Sequence, residues 1–140
     1  MADTIEAELA ELMDEFEVLG DWEERYRHLI DLGRTLTPLT DEERNETHRV
    51  RGCASQVWLV RDADTDGRAH WRGDSDAHLV RGLIAVTLRL YNGRQPADAL
   101  AFDARDGLRR LGLTEALSTQ RSNGLFSMIE RIRRDLMATA

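Results

Sequence analysis

Arg51-Gly52-Cys53-Ala54-Ser55-Gln56-Val57-Trp58 contains the single cysteine of this 140-residue chain, and its reading decides both the fold and the chemistry. One thiol forms no internal disulfide, so no redox cycle closes within one copy of the protein. Arg49 and Arg51 stand just before the sulfur, with His48 a further candidate cation, and nearby positive charge favours thiolate over thiol. Gly52 and Ala54 leave little bulk beside it, which suits close approach by another molecule. The plain alternative is that Cys53 is a small buried hydrophobe, as unpaired cysteines commonly are.

Working outward, the chain changes period at this turn. Upstream, Ile5, Leu9, Leu12, Met13 and Phe16 recur at helical spacing with acids between them. Gly20 breaks that helix, and Asp21 with Glu24 forms a capping-box pattern for a second one, whose stripe is Trp22, Tyr26, Leu29 and Ile30, ending near Gly33. Thr40 with Glu43 repeats the pattern and predicts a short helical turn over 41–46. Thr47 to Val50 reads as a short strand leading into the Gly52-Cys53 turn. Gln56 to Ala63 is rich in β-formers, Asp64-Thr65-Asp66-Gly67 is a turn signal, and Arg68 to Arg72 reads as the returning strand. These segments predict a sheet of three short antiparallel strands.

Downstream, Gly73-Asp74-Ser75-Asp76 is expected to close the sheet and cap a helix from about Ala77 to Tyr91. Its apolar residues wrap well past one stripe, predicting a largely buried helix. Pro96 and Asp103 start two short helices, Gly112 stops the second, and Leu125, Ile129, Ile132 and Leu136 form the stripe of a final helix beginning near Ser122. Trp22 and Trp58 are expected as core anchors, with Trp71 on a strand. The expected architecture is one α+β domain spanning 1–140, a small antiparallel sheet with helices packed on it.

Composition narrows the chemistry. The chain is 41% hydrophobic and 32% charged, with no run long and apolar enough to span a membrane. The start, Met1-Ala2-Asp3-Thr4-Ile5, lacks the basic and apolar regions of an export signal, so a reducing cytoplasm is expected. Residues 1–48 hold fifteen acids and four arginines, a balance of −11; residues 49–140 hold eleven acids and fifteen arginines, a balance of +4. That asymmetry suits steering of a protein partner, whereas the scattered arginines argue against nucleic acid. All nineteen basic residues are arginine. Without lysine the chain holds no pyridoxal phosphate as an internal aldimine and has no Walker A lysine. Asp74 and Asp76 read as turn-closing and capping residues rather than metal ligands. His48, His70 and His78 with Cys53 read as scattered residues rather than a zinc or iron–sulfur site, since structural sites draw several close cysteines.

Gly52-Cys53-Ala54-Ser55-Gln56-Val57-Trp58 is similar to the Gly-Cys-x-Ser-x-Val-Trp signature of the SufE-like sulfur acceptors. Gly73-Asp74-Ser75-Asp76-Ala77, Val80-Arg81-Gly82-Leu83, and Leu117-Ser118 followed by Arg121-Ser122-Asn123-Gly124-Leu125 resemble that family in the same order, as does Trp22-x-x-Arg25-Tyr26 through Leu32-Gly33. Ala54 replaces a frequent glutamine, and Thr119-Gln120 stands where proline is frequent. The resemblance implies a SufE/IscU-like fold and a sulfur relay. In that relay Cys53 takes persulfide sulfur from a pyridoxal-phosphate cysteine desulfurase (SufS-like) and delivers it to an iron–sulfur scaffold (SufBCD-like), stimulating the desulfurase. It implies that pyridoxal phosphate sits in the partner, with no cofactor on this chain, and that the free protein shields the sulfur. It makes Arg51, Gly52, Ser55, Gln56, Asp74 and Arg121 candidates to shape the cysteine loop or contact the partner. For Arg121 a plain role in starting the last helix stands equally. The chain is expected as a monomer or homodimer. A one-cysteine peroxidase, a cysteine hydrolase using His48, and a non-catalytic interaction module are the competing readings.

Overall fold

A computed structural model describes residues 4–139. Met1, Ala2, Asp3 and Ala140 lie outside the described residues, and with them the first part of the segment read for an export signal. The N-terminal third holds two helices that touch where the Phe16 and His28 rings meet edge to face at 5.9 Å. Helix α1 (Ile5–Glu17) buries Ile5, Leu9, Leu12 and Phe16, the stripe its periodicity predicts. Helix α2 (Trp22–Gly33) starts at Asp21, whose carboxylate accepts from the Glu24 amide at 2.9 Å, while Glu24 accepts from the Gly20 amide at 2.9 Å. The second capping box also closes: Thr40 and Glu43 exchange backbone-to-side-chain bonds at 3.0 and 3.1 Å. It nucleates only hydrogen-bonded turns, not a helix.

The sheet differs from expectation. It has two strands, β1 (Val57–Arg61) and β2 (Trp71–Ser75), paired antiparallel with Val57 opposite Ser75 and Arg61 opposite Trp71. The expected third strand shrinks to a single bridge, Arg49 opposite Trp58, carried by the Val50 amide on Val57 and the Leu59 amide on the His48 carbonyl. Those two bonds are all that fits between the turns at 46–48 and the reversal at Gly52. The returning strand also lies later than expected. Asp66 and Gly67 take positive φ of 54° and 74° in a tight turn, as the sequence signals, but regular pairing resumes only at Trp71. Gly73-Asp74-Ser75 is therefore strand, not turn. Gly73 is there because α3 comes close: a Cβ would stand 2.7 Å from Ile84 Cγ2 and 2.8 Å from Leu59 Cδ2.

Helix α3 (His78–Tyr91) is the central element. It packs on β2, α1, α2 and α7, and eight of its fourteen residues are buried. Its N-cap is Ala77, without a side-chain bond, so the capping expected of Asp74 and Asp76 does not occur. Against α2 the approach is backbone to backbone. A Cβ on Gly82 would sit 2.1 Å from the Leu29 carbonyl oxygen, and one on Gly33 would sit 2.8 Å from the Gly82 nitrogen. Helices α4 (Pro96–Ala101), α5 (Ala104–Arg110) and α6 (Leu113–Ala116) lead to α7 (Thr119–Thr139). Helix α7 begins three residues before the expected Ser122, because the Ser118 hydroxyl accepts from the Arg121 amide at 3.2 Å. Its Leu125, Ile129, Ile132 and Leu136 enter the core as predicted. Among the tryptophans, Trp71 is the buried one, 2% exposed, while Trp22 and Trp58 are only half-buried.

Candidate functional site

The chain from Thr47 to Cys53 lies along one face of α7. Gly124, Ser127 and Arg131, spaced three and four residues apart, form that face. Arg131 donates to the carbonyls of Thr47 and Arg49 at 2.7 and 3.1 Å. Gly52, at φ +88°, sits so close to the helix that a Cβ would stand 2.5 Å from Ser127 Oγ. Two requirements thus coincide on Gly52: a left-handed backbone and no side chain. Cys53 Sγ then donates to the Gly124 carbonyl at 3.5 Å, and a Cβ on Gly124 would meet the sulfur at the same distance, an ordinary contact.

Cys53 is half-buried at the edge of a cavity of about 370 Å³. Val80 and Leu83 of α3, with Leu125 and Met128 of α7, make its apolar wall; Ser55, Ser118 and Arg121 are its polar rim. Burial pushes the Cys53 thiol pKa up, and Arg49 pulls it only partly back. This corrects the expectation from charge alone. Arg51 is exposed and held by Glu46 at 2.7 Å, and Glu46 also approaches Arg49 at 4.0 Å, so one carboxylate engages both neighbouring cations. In this state the sulfur is chiefly a thiol.

The other candidates separate by position. Ser55 and Arg121 line the cavity with Cys53. Arg121 is exposed, and its guanidinium has no polar partner among the described residues. Gln56 lies outside the cavity wall, where its backbone N–H donates to the Asp76 carboxylate at 3.0 Å and fixes the end of the loop just past β2. Asp74 is buried, 7% exposed, and also stands off the cavity. It accepts from Arg44 at 2.9 and 3.2 Å and pairs with Arg81 at 3.1 Å, tying the segment before the loop to the sheet and to α3. Its task is this internal ion pair rather than the turn closure expected from sequence. Gly124, Ser127, Met128 and Arg131 shape the loop without having been singled out by chemistry. Gly124 lies in one of the family-like stretches, whereas the only sequence signal of Ser127, Met128 and Arg131 is their three-and-four spacing from it on a helix whose neighbour is not legible. His48 Nδ1 lies 2.8 Å from the Glu43 carbonyl, and no histidine lines the cavity, so the geometry offers no cysteine–histidine pair. Among the described residues no group of three or more histidine, cysteine or carboxylate side chains is placed to hold a metal ion.

Fold and site together define a class: a small α+β protein built around one latched, cavity-facing cysteine. The family profile for SufE, an Fe–S metabolism associated domain, matches residues 10–136. An uncharacterized SufE-like protein of Rhizobium etli is 46% identical over 137 residues, covering 96% of this chain and 93% of that one. A second, from Rhizobium meliloti, is 44% identical over 128 residues, covering 89% and 91%. The solution structure of a hypothetical protein from Thermus thermophilus superposes with a TM-score of 0.76 over 94% of both chains at 20% identity, a likeness of fold. The chain belongs to the SufE family, and so to proteins associated with iron–sulfur metabolism. No helix among the described residues is long and apolar enough to cross a membrane.

Proposed function

We propose that this chain is a sulfur acceptor of the cytoplasm: Cys53 takes sulfane sulfur from a pyridoxal-phosphate cysteine desulfurase and passes it to an iron–sulfur assembly scaffold. The observation that carries the reading is the one thiol of a SufE-family chain, held on a loop at a cavity mouth. In the acceptance step the Cys53 thiolate attacks the outer sulfur of the donor's cysteine persulfide. A new S–S bond forms on Cys53, the donor's S–S bond breaks, and the donor cysteine leaves as thiolate. The persulfide proton stays with the transferred sulfur, and no external oxidant or reductant takes part. Delivery repeats the exchange with an acceptor thiol on the scaffold.

Three features support this over the competing readings. The chain has no lysine, so the pyridoxal chemistry belongs to the donor. The thiol pKa is raised in the resting loop, which disfavours a peroxidase that must present thiolate to peroxide unaided. A relay thiol protected at rest needs to ionise only when a partner lifts the loop. Being the sole cysteine, it has no second thiol in the chain to resolve the persulfide into a disulfide. The test is desulfurase turnover, followed as alanine release, with rising amounts of this protein. Wild type raises the rate and Cys53→Ser does not; equal stimulation by both would leave an interaction module in its place.

A further inference from the structure

Among the described residues every arginine but three is ion-paired or bonded to a backbone carbonyl. The exceptions are Arg105, Arg121 and Arg134, all exposed, and all stand around the cysteine loop. Arg121 is on the cavity side. Arg105 and Arg134, joined by Arg51, ring a shallow hollow of about 510 Å³ on the opposite side of the Gly124–Ser127–Arg131 face. Phe126 is half-buried in this hollow, with the Arg105 guanidinium 4.3 Å from its ring centroid. Ser127, which touches Gly52, also lines it, so hollow and loop share a wall. One carboxylate, Glu130, stands there against three guanidiniums.

The chain as a whole carries −7, and elsewhere its arginines are satisfied internally. Beyond the stacking of Arg105 on Phe126, Arg105 and Arg134 stand beside the reacting loop with no carboxylate partner among the described residues, and their field attracts an anionic surface. The Arg51–Glu46 pair does not block this, since both side chains are more than 70% exposed and such pairs exchange partners at little cost.

We propose that this hollow docks an acidic segment of the sulfur-donating desulfurase, one with at least two carboxylates and an apolar side chain that lies on Phe126. The proposal rests on the acceptor reading of Cys53. The donor, rather than the scaffold, is the partner that meets the protein in its thiol state, with the loop latched; that is the state in which Arg51 and Ser127 complete the hollow. A segment bound there lies beside the Gly52 end of the loop and leaves the cavity side of Cys53 open for sulfur transfer.

The test is the R105E/R134E double variant in the desulfurase stimulation assay, against wild type and against R27E/R34E. The latter pair is exposed on α2 and its C-terminal cap and changes the net charge equally. Alkylation of Cys53 by iodoacetamide checks that the loop is intact in each variant. The double variant should need on the order of tenfold more protein for half-maximal stimulation, with the limiting rate retained, and should lose the salt dependence that wild type shows. R27E/R34E should behave as wild type. Equal half-saturation for all three proteins, with sulfur still reaching Cys53, overturns the docking proposal and leaves the acceptor reading standing. A defect in delivery to the scaffold alone, or self-association of wild type that R105E/R134E abolishes, assigns the hollow to another occupant and overturns it too. If wild type takes no sulfur from an active desulfurase, the acceptor reading fails and the proposal fails with it.

Discussion

Replacing Gly52 with alanine should release the cysteine loop from α7. At φ +88° an L-residue other than glycine is strained by about 1–3 kcal/mol. The new Cβ would also stand 2.5 Å from Ser127 Oγ, forcing that hydroxyl off its 3.0 Å bond to the Asn123 carbonyl, worth about 1 kcal/mol. Together these disfavour the latched state by about 2–4 kcal/mol, which is roughly 30- to 700-fold in its equilibrium with an open loop. The loop is local, so the penalty should appear as opening rather than as loss of the whole fold. The assay is the rate of Cys53 labelling by a bulky maleimide across pH, with urea unfolding measured in parallel. Burial raises the thiol pKa in the latched state, so an opened loop should move the labelling profile to lower pH and raise the rate at neutral pH. The double variant Gly52→Ala/Ser127→Ala removes the collision but not the strain, and should fall between. A Gly52→Ala protein whose labelling rate and pH profile match wild type would refute the argument that contact with α7 is what shields the sulfur.

Gly124→Ala should have the opposite effect. Its Cβ would meet Cys53 Sγ at 3.5 Å and Cys53 Cβ at 3.7 Å, ordinary contacts, and alanine is the better helix former by about 1 kcal/mol. Urea unfolding should show a small gain in stability, and Cys53 should label more slowly than in wild type. The Thr40–Glu43 turn predicts an acid-sensitive anchor. Hydrogen bonds from Arg72, then from the Thr40 amide, hold the Glu43 pKa down to about 2. A depressed carboxylate pKa contributes stability above the ordinary glutamate range, and that contribution is lost as pH falls toward about 2. Acid unfolding followed by circular dichroism should therefore show a shallower dependence on pH below 4.5 for Glu43→Gln than for wild type.

The helices and the cysteine turn were legible because their signals are local. Asp21 with Glu24, Pro96 and Asp103 mark their helix starts, and the Ile5-to-Phe16 stripe needs only the period of one helix. Thr40 with Glu43 shows the limit of such signals, since the box forms but no helix follows it. What failed depended on distant partners. Gly73-Asp74-Ser75 looks like a turn by composition, yet Asp74 is tolerated inside a strand because Arg44, thirty residues earlier, and Arg81 neutralise it. The thiol was misread for the same reason. Arg49 and Arg51 are visible beside Cys53, but the burial that outweighs them comes from α3 and α7. Arg131, which clamps the chain ahead of the loop from eighty-two residues away, gave no signal at all.

The proposed relay requires that Cys53 itself receives sulfur. Intact mass of the protein after incubation with a pyridoxal-phosphate cysteine desulfurase and free cysteine tests it most directly, with Cys53→Ser run alongside. Wild type alone should gain one sulfur atom, removed by dithiothreitol. No gain on wild type beside a desulfurase that is turning over, or an equal gain on Cys53→Ser, would contradict it.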